Sequence, residues 1–230
     1  MHISIFESLG PIMIGPSSSH TAGAARLACV ARKIVAKEFT AVTFGLHGSF
    51  WHTHKGHGTD RALVAGALGL APDDERLVDS FSLAQKQGLS YSFRPVTLDG
   101  VHENTVEIIF TCTDGTTPTI IGSSLGGGEI VVRSIDGFPT DLSARLSTLV
   151  VQHEDRPGVL TNLTQLLSDW NINVGTMKVS RTAKGKTAFS VIETDSDIPE
   201  QAVEIVRGYP HIQSAQVINL SEEGGTCTKT

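Results

Sequence analysis

Two short stretches of this chain concentrate side chains that could do chemistry. In "IGPSSSHTAG", residues 14–23, Ser17, Ser18, Ser19, His20 and Thr21 stand between a Gly-Pro turn and an alanine-rich apolar run. The first backbone N–H groups of a helix lack partners and carry partial positive charge, so hydroxyl side chains cap that end and anions gather there. One serine is enough for a cap. The surplus hydroxyls, on a turn set by Gly15 and Pro16, suit a carboxylate or phosphate held by hydroxyls and helix N–H groups. A histidine in that position has its protonated form disfavoured and stays available as a neutral donor, acceptor or base. The device recurs in "GHGTD", residues 56–60, where His57 sits in a glycine-flanked turn and Gly58, Thr59 and Asp60 open the next helix. This is not a nucleotide loop, because GxGxxG would need glycine where Arg61 stands, and no GxxxxGK occurs. Two helix starts, each bearing an imidazole, can converge on one anionic substrate.

A metal site is the rival reading of the same region. His52, His54 and His57 form an HxHxxH run with His47 just upstream, and His52 and His54 would share one face of a strand. A matching carboxylate or further histidine is missing and Lys55 adds positive charge, so no metal ligands are assigned to this chain. Cys29, Cys112 and Cys227 are widely separated, with no CxxC pair to announce zinc, an iron-sulfur cluster or a disulfide framework.

The elements that must position these residues follow from patterning. The chain has 230 residues, 40% hydrophobic and 18% charged, enough apolar material for two small cores. Its net charge of -6, without a Lys/Arg-rich run, argues against nucleic acid or an anionic membrane surface as partner. The start lacks a basic region followed by a long apolar one, and "LVAGALGLA" is far shorter than the roughly 18 residues that span a bilayer, so the protein reads as cytoplasmic. A helix is expected over about Ser19 to Lys37, with Leu27, Val30, Ala31, Ile34 and Val35 on one face. "FTAVTFGLHGSF" reads as a strand, the run through Leu63 and Leu70 as a second helix, and "DDERLVDSFSLAQKQG" as a third. Four strands follow, "LSYSFRPVT", "NTVEIIFTCTD", "PTIIGSS" and "EIVVRSI", completing a mixed α+β domain over residues 1–136. "DGFPTDLSAR" has linker composition, giving a linker at 137–145.

Beyond it the order is strand, helix, strand, strand, helix, strand. "STLVVQHE", "RPGVLTNLTQLLSDW" with Pro157 in its first turn, a hairpin around Gly185, "PEQAVEIVRG" and "IQSAQVINL" make a ferredoxin-like βαββαβ unit at 146–220. Residues 221–230 read as a frayed tail. The fold class is therefore α+β, with two domains.

At this point the residues carry a resemblance. "GPSSSHTAGAARLA", "GSFWHTHKGHGTDRALVAGALG" and "GSSLGGGEI", in that order and ahead of the ferredoxin-like unit, resemble the beta subunit of the bacterial iron-sulfur-dependent L-serine dehydratase from about residue 3 to residue 220. "EDRPGVL" is similarly characteristic of an ACT domain, a small-molecule-binding and usually regulatory module. The resemblance implies an L-serine ammonia-lyase that forms pyruvate and ammonia. It implies a 4Fe-4S cluster with one open iron acting as Lewis acid on the substrate hydroxyl, without pyridoxal phosphate. The cluster cysteines are expected on a separate alpha subunit, and this chain contributes substrate recognition.

Carried over by position, Ser17, Ser18, Ser19, Thr21, Gly58, Thr59 and Asp60 would hold L-serine. His57 is the candidate base for the Cα proton, with His20 as the alternative. "SSLGGGE" reads equally as a glycine hairpin. In the ACT unit, Asp155 and Gly158 lie in the loop before the first helix. Asp155 facing an α-ammonium and Asn173 facing a carboxylate, at an interface between two copies, would form an effector site. The apolar sheet face not covered by helices favours self-association through this domain. The alternative function is a stand-alone amino-acid sensor that regulates another enzyme.

Overall fold

A computed structural model of the chain describes residues 15–219. The expected tail, with Cys227, lies outside the described residues. The chain divides into two compact units between Asp136 and Gly137.

In the first unit a π-helical turn, Ser18–Gly23, leads without a break into α1 (Ala24–Val35). Leu27, Val30, Ala31, Ile34 and Val35 are all buried, and the helix stops at Ala36 in a left-handed conformation. The chain continues through β1 (Phe39–Leu46), a short α2 (Gly48–Thr53) and α3 (Thr59–Leu68). A 3-10 turn, Glu75–Asp79, then leads into α4 (Ser80–Lys86). The expected third helix is thus split, because Asp74 accepts from the Arg76 N–H and tightens the entry into a 3-10 turn. Strands β2 (Ser90–Pro95), β3 (Thr105–Cys112), β4 (Thr119–Gly126) and β5 (Glu129–Ile135) complete the unit, adjacent in the order β2-β1-β3-β4-β5. β2 runs parallel to β1, as the intervening helical crossover requires, and the other pairings are antiparallel.

Small residues let α1 and α3 cross closely. A Cβ added to Gly66 would stand 2.2 Å from the Ala25 carbonyl oxygen and 2.8 Å from the Ala28 Cβ, so only glycine fits there. Arg32 closes the crossing by donating to the Ala67 carbonyl at 2.9 Å. This contact lies in the last turn of both helices, whereas their starts, where the two motifs sit, are joined by the Thr21 hydroxyl donating to the His57 carbonyl.

Two expectations need correction here. "HGSF" is not the end of a strand: β1 stops at Leu46, and Gly48–Thr53 is helical. Gly48 supplies the left-handed turn (φ 52) that redirects the chain. His52 and His54 therefore do not share a strand face. The segment read as a linker is likewise ordered, as β6 (Phe138–Leu142) within the second unit. Phe138 stacks on Phe189 with ring centres 5.3 Å apart, Asp141 pairs with Lys178, and Ser180 donates to the Pro139 carbonyl at 2.6 Å.

The second unit continues with β7 (Ser147–Glu154), α5 (Val159–Asp169), β8 (Val174–Arg181), β9 (Thr187–Thr194), α6 (Glu200–Arg207) and β10 (Ile212–Ile218). Its sheet order, β10-β7-β9-β8, is the ferredoxin-like plan. Leu149, Val151 and Ile192 of the sheet meet Leu163, Leu166 and Leu167 of α5 and Val203 and Val206 of α6 in one core. Pro157 precedes α5 instead of lying in its first turn, since Gly158 (φ 90) is the left-handed residue from which the helix starts. Phe138 of β6 covers part of the sheet face that was expected to need a second copy. No helix of the described residues is long and apolar enough to cross a membrane.

Candidate active site

The two motifs meet. The His20 and His57 rings lie 4.9 Å apart between centres, tilted by 38°. Ser17 caps the π-helical turn by accepting the His20 N–H at 3.1 Å, and its hydroxyl also lies 3.4 Å from His20 Nδ1. On the other side of the ring, Nε2 is 3.1 Å from the Ser49 hydroxyl, and the buried Phe50 meets the ring edge-on at 5.4 Å. His20 is thus fixed through both nitrogens and one edge. Burial first, and the neighbouring His57 second, push its imidazole below the usual value near 6.5. A neutral ring with one N–H and one lone pair is what a hydroxyl on each side can satisfy.

His57 is held by its backbone and leaves its side chain exposed. Its N–H donates to the Thr53 carbonyl at 3.1 Å, and its carbonyl accepts from the Thr21 hydroxyl at 3.0 Å. Thr21 is itself buried, so this bond joins the first motif to the second inside the core. Gly58, left-handed at φ 68, then turns the chain into α3, where the Asp60 carboxylate accepts the Arg61 N–H at 2.8 Å. Thr59 is buried and its hydroxyl has no hydrogen-bond partner.

Ser18 and Ser19 are half-buried on the π-helical turn. Ser19 faces the glycine loop after β4, where a Cβ on Gly126 would stand 3.5 Å from its Oγ. The turn rests on β4 at Gly23, where an added Cβ would be 2.0 Å from the Ser124 Oγ, itself buried without a partner. π-helical turns concentrate at functional sites, and this one carries the imidazole. Beside the pair lies an open cleft of about 480 Å³, lined by Thr21, Lys55, His57, Gly58, Asp60 and Arg61 and walled by Leu77, Val78 and Phe81.

The histidines of this run are not grouped together. His54 Nδ1 lies 2.6 Å from the Trp51 carbonyl and the ring stacks on Trp51, while His47 Nδ1 accepts the Leu98 N–H at 3.3 Å. Among the described residues no three His, Cys, Asp or Glu side chains are grouped to hold a metal ion.

In the second unit the Asp155 carboxylate is already engaged. It accepts from the Gly185 N–H at 2.9 Å and from Arg181 at 2.8 Å, which hold it below the usual carboxylate range. Asn173 donates to Asp195 at 2.6 Å. β8 and β7 both run antiparallel to β9, and the register puts Val174 and Ser147 opposite Thr194 but Glu154 opposite Thr187. Asn173 and Asp155 therefore lie at opposite ends of the sheet. Within one copy they do not form a site with Gly158; facing one ligand would take residues from two copies.

The serine dehydratase beta chain profile matches residues 4–86, and the ACT domain profile matches residues 147–211. The L-serine dehydratase beta chain of Peptoniphilus asaccharolyticus is 39% identical over 94% of this chain and 98% of its own length. The chain belongs to the L-serine dehydratase beta chain family. A second relative, described as "Probable L-serine dehydratase, beta chain" of Bacillus subtilis, is 37% identical over 91% of this chain and 94% of its own length. The D-3-phosphoglycerate dehydrogenase of Bacillus subtilis is 28% identical over 70% of this chain, corresponding to 30% of that protein.

Membership in the serine dehydratase beta chain family does not favour the stand-alone sensor. Ser17, His20, Thr21 and the 57–60 turn come together as one site, whereas Asp155 and Asn173 do not. Sequence reasoning missed Ser49 and Ser124. Both lie inside the stretches that carried the resemblance, but only the tertiary contacts with His20 and Gly23 single them out.

Proposed function

We propose that this chain is the beta subunit of a cytoplasmic L-serine ammonia-lyase, binding L-serine at the His20–His57 site and removing its Cα proton. The observation that carries the reading is the convergence of two imidazoles, one held neutral between Ser17 and Ser49 and one exposed at a cleft, beside hydroxyls with no internal partner. Ser18, Ser19 and Thr59 and the N–H groups that open the two helices suit the substrate carboxylate. Asp60 suits the ammonium. His57, exposed on the cleft, is the base, and His20, held between Ser17 and Ser49, fixes its position.

Loss of the Cα proton and of the hydroxyl as water leaves aminoacrylate. Its imine tautomer takes up water to give pyruvate and ammonia. The reaction needs help at the hydroxyl, a poor leaving group. The described residues do not fit a cluster, because no ligand group exists among them and Cys112 is a buried strand thiol. We therefore assign the 4Fe-4S cluster to the alpha chain, where its open iron would supply Lewis acidity to the leaving hydroxyl. Anaerobic co-expression with the alpha chain of the same organism tests this. The complex should contain iron and form pyruvate and ammonia from L-serine in equal amounts, and the beta chain alone should form none. Turnover by the beta chain alone, or an iron-loaded complex inert towards L-serine, would overturn the reading.

A further inference from the structure

His57 is exposed at the cleft and its ring leans on His20, so the place of its imidazole is set by the turn that carries it. Two glycines flank His57 in that turn. Among the described residues an added Cβ would meet nothing within 4 Å at Gly58, and at Gly56 it would meet the Thr53 carbonyl oxygen at 3.7 Å. Glycines in such open positions give the backbone freedom without packing to restrain it.

The restraint comes from the residues that enter the turn. Thr53 and His54 lend it their carbonyls, which accept the N–H groups of His57 at 3.1 Å and of Thr59 at 2.9 Å. The Thr53 hydroxyl is tied back to the Ser49 carbonyl at 2.8 Å. His54 is held in three ways. Its Nδ1 donates to the Trp51 carbonyl at 2.6 Å, since a carbonyl can only accept. Its ring stacks on Trp51, with centres 5.0 Å apart and planes 19° from parallel. Phe93 of β2 stacks on the same ring at 6.2 Å and 29°.

Phe93 in turn stacks at 5.3 Å on Phe44, its register partner in β1, and Phe44 is fully buried. Four rings thus run in series from α2 into the core of the first unit. Each contact is modest alone, but together they tie an otherwise loose turn to buried sheet.

We propose that His54 is a positioning residue for His57: the Trp51, His54, Phe93 and Phe44 stack anchors the 53–59 turn to the sheet and so holds the His57 imidazole against His20 at the cleft. The inference deepens the lyase reading, on which its effect on rate rests, while the placement of the ring is independent of that reading. Misplacing a reacting group by about 1 Å can cost on the order of 100-fold in rate, so release of the turn should show in turnover before it shows in binding.

The test has two readouts. In the isolated full-length beta chain, the His20 titration followed by NMR reports whether His57 stands beside it, because that neighbour is one of the two causes lowering it. His54→Ala should move the titration up towards 6.5, as loss of His57 would. His54→Phe, which keeps the stack, should leave it near its native position. In the anaerobic complex with the alpha chain, at matched iron content, His54→Ala should lower the single-turnover rate of pyruvate formation by roughly tenfold or more. The L-serine concentration for half-maximal rate should change less than about twofold, and His54→Phe should restore most of the rate. His52→Ala, at the exposed neighbour in the same run, should change neither readout. If His54→Ala does not fold, Phe93→Leu, which removes a ring of the stack and leaves His54, is read in its place.

An unmoved His20 titration in His54→Ala overturns the proposal. A native rate in the His54→Ala complex when His57→Ala is slow also overturns it, and leaves His57 as the base. Failure of His54→Phe to restore either readout overturns the stack as the anchor. Equal rates in the native and His57→Ala complexes overturn the base reading instead, and the His20 titration alone then decides whether His54 holds the ring.

Discussion

His20 and His57 face each other with ring centres 4.9 Å apart, and the nearness of His57 is one of the two causes that keep His20 neutral. A charge on His57 beside it makes a protonated His20 costlier, which adds to the effect of burial.

The coupling is measurable. In His57→Ala the second cause disappears and burial remains, so the His20 titration followed by NMR should move up towards 6.5 without reaching it. An unmoved His20 titration would mean that the rings do not interact.

The same shift predicts a direction for acid stability. His20 is harder to protonate folded than unfolded, so as pH falls below about 6.5 the unfolded chain takes up the proton first. The stabilisation present above that pH is lost as pH drops towards the lower folded value. Urea unfolding at pH 7.5 and pH 5.5 should show a smaller loss in His20→Gln than in the native chain. Identical losses in the two chains would remove His20 from the account of acid sensitivity.

Ser49 acts through His20. Removing its hydroxyl should cost about 1 kcal/mol of positioning, roughly a fivefold fall in kcat/KM, with the acid limb of the pH profile displaced. Ser49→Thr should restore part of the activity, and Ser49→Ala with unchanged rate and pH profile would leave Ser49 without a role.

The close crossing of α1 and α3 should tolerate no side chain at Gly66. Gly66→Ala forces a Cβ to within 2.2 Å of the Ala25 carbonyl oxygen and should destabilise the first unit by about 1–3 kcal/mol, read as a lower urea midpoint. A midpoint equal to that of the native chain would contradict the packing described.

How much of this could be read from the sequence depends on the range of the interaction. The α1 face through Leu27, Val30 and Ile34 and the βαββαβ order were legible because they repeat locally. The π-helical turn was not, because it depends on Gly23 pressing on Ser124, a strand residue far along the chain. Gly48 ends β1 early by a left-handed turn that a β-branched run conceals, which removed the shared face assigned to His52 and His54. Phe138 and Asp141 looked like linker because their partners, Phe189 and Lys178, come later. His20 and His57 stood out as motifs, but what joins them, the Thr21 hydroxyl on the His57 carbonyl, is a contact between distant parts of the chain.

Asp155 also reads differently once its partners are known. Its folded carboxyl is held low by the Gly185 N–H and Arg181, so this contribution is present above the unfolded value near 3.8 and lost as pH falls through the folded one. Asp155→Ala should speed amide exchange at Gly185 and lower the thermal midpoint of the second unit. Unchanged exchange at Gly185 would show that the carboxylate does not hold the β8–β9 turn.

The most direct test of the central claim is the single-turnover rate of pyruvate formation by the anaerobic complex of native or His57→Ala beta chain with the alpha chain, at matched iron content. The account predicts a rate lower by roughly 100-fold or more in His57→Ala, the usual range for loss of a general base, with L-serine still bound by the complex. Equal rates for the two complexes would contradict it.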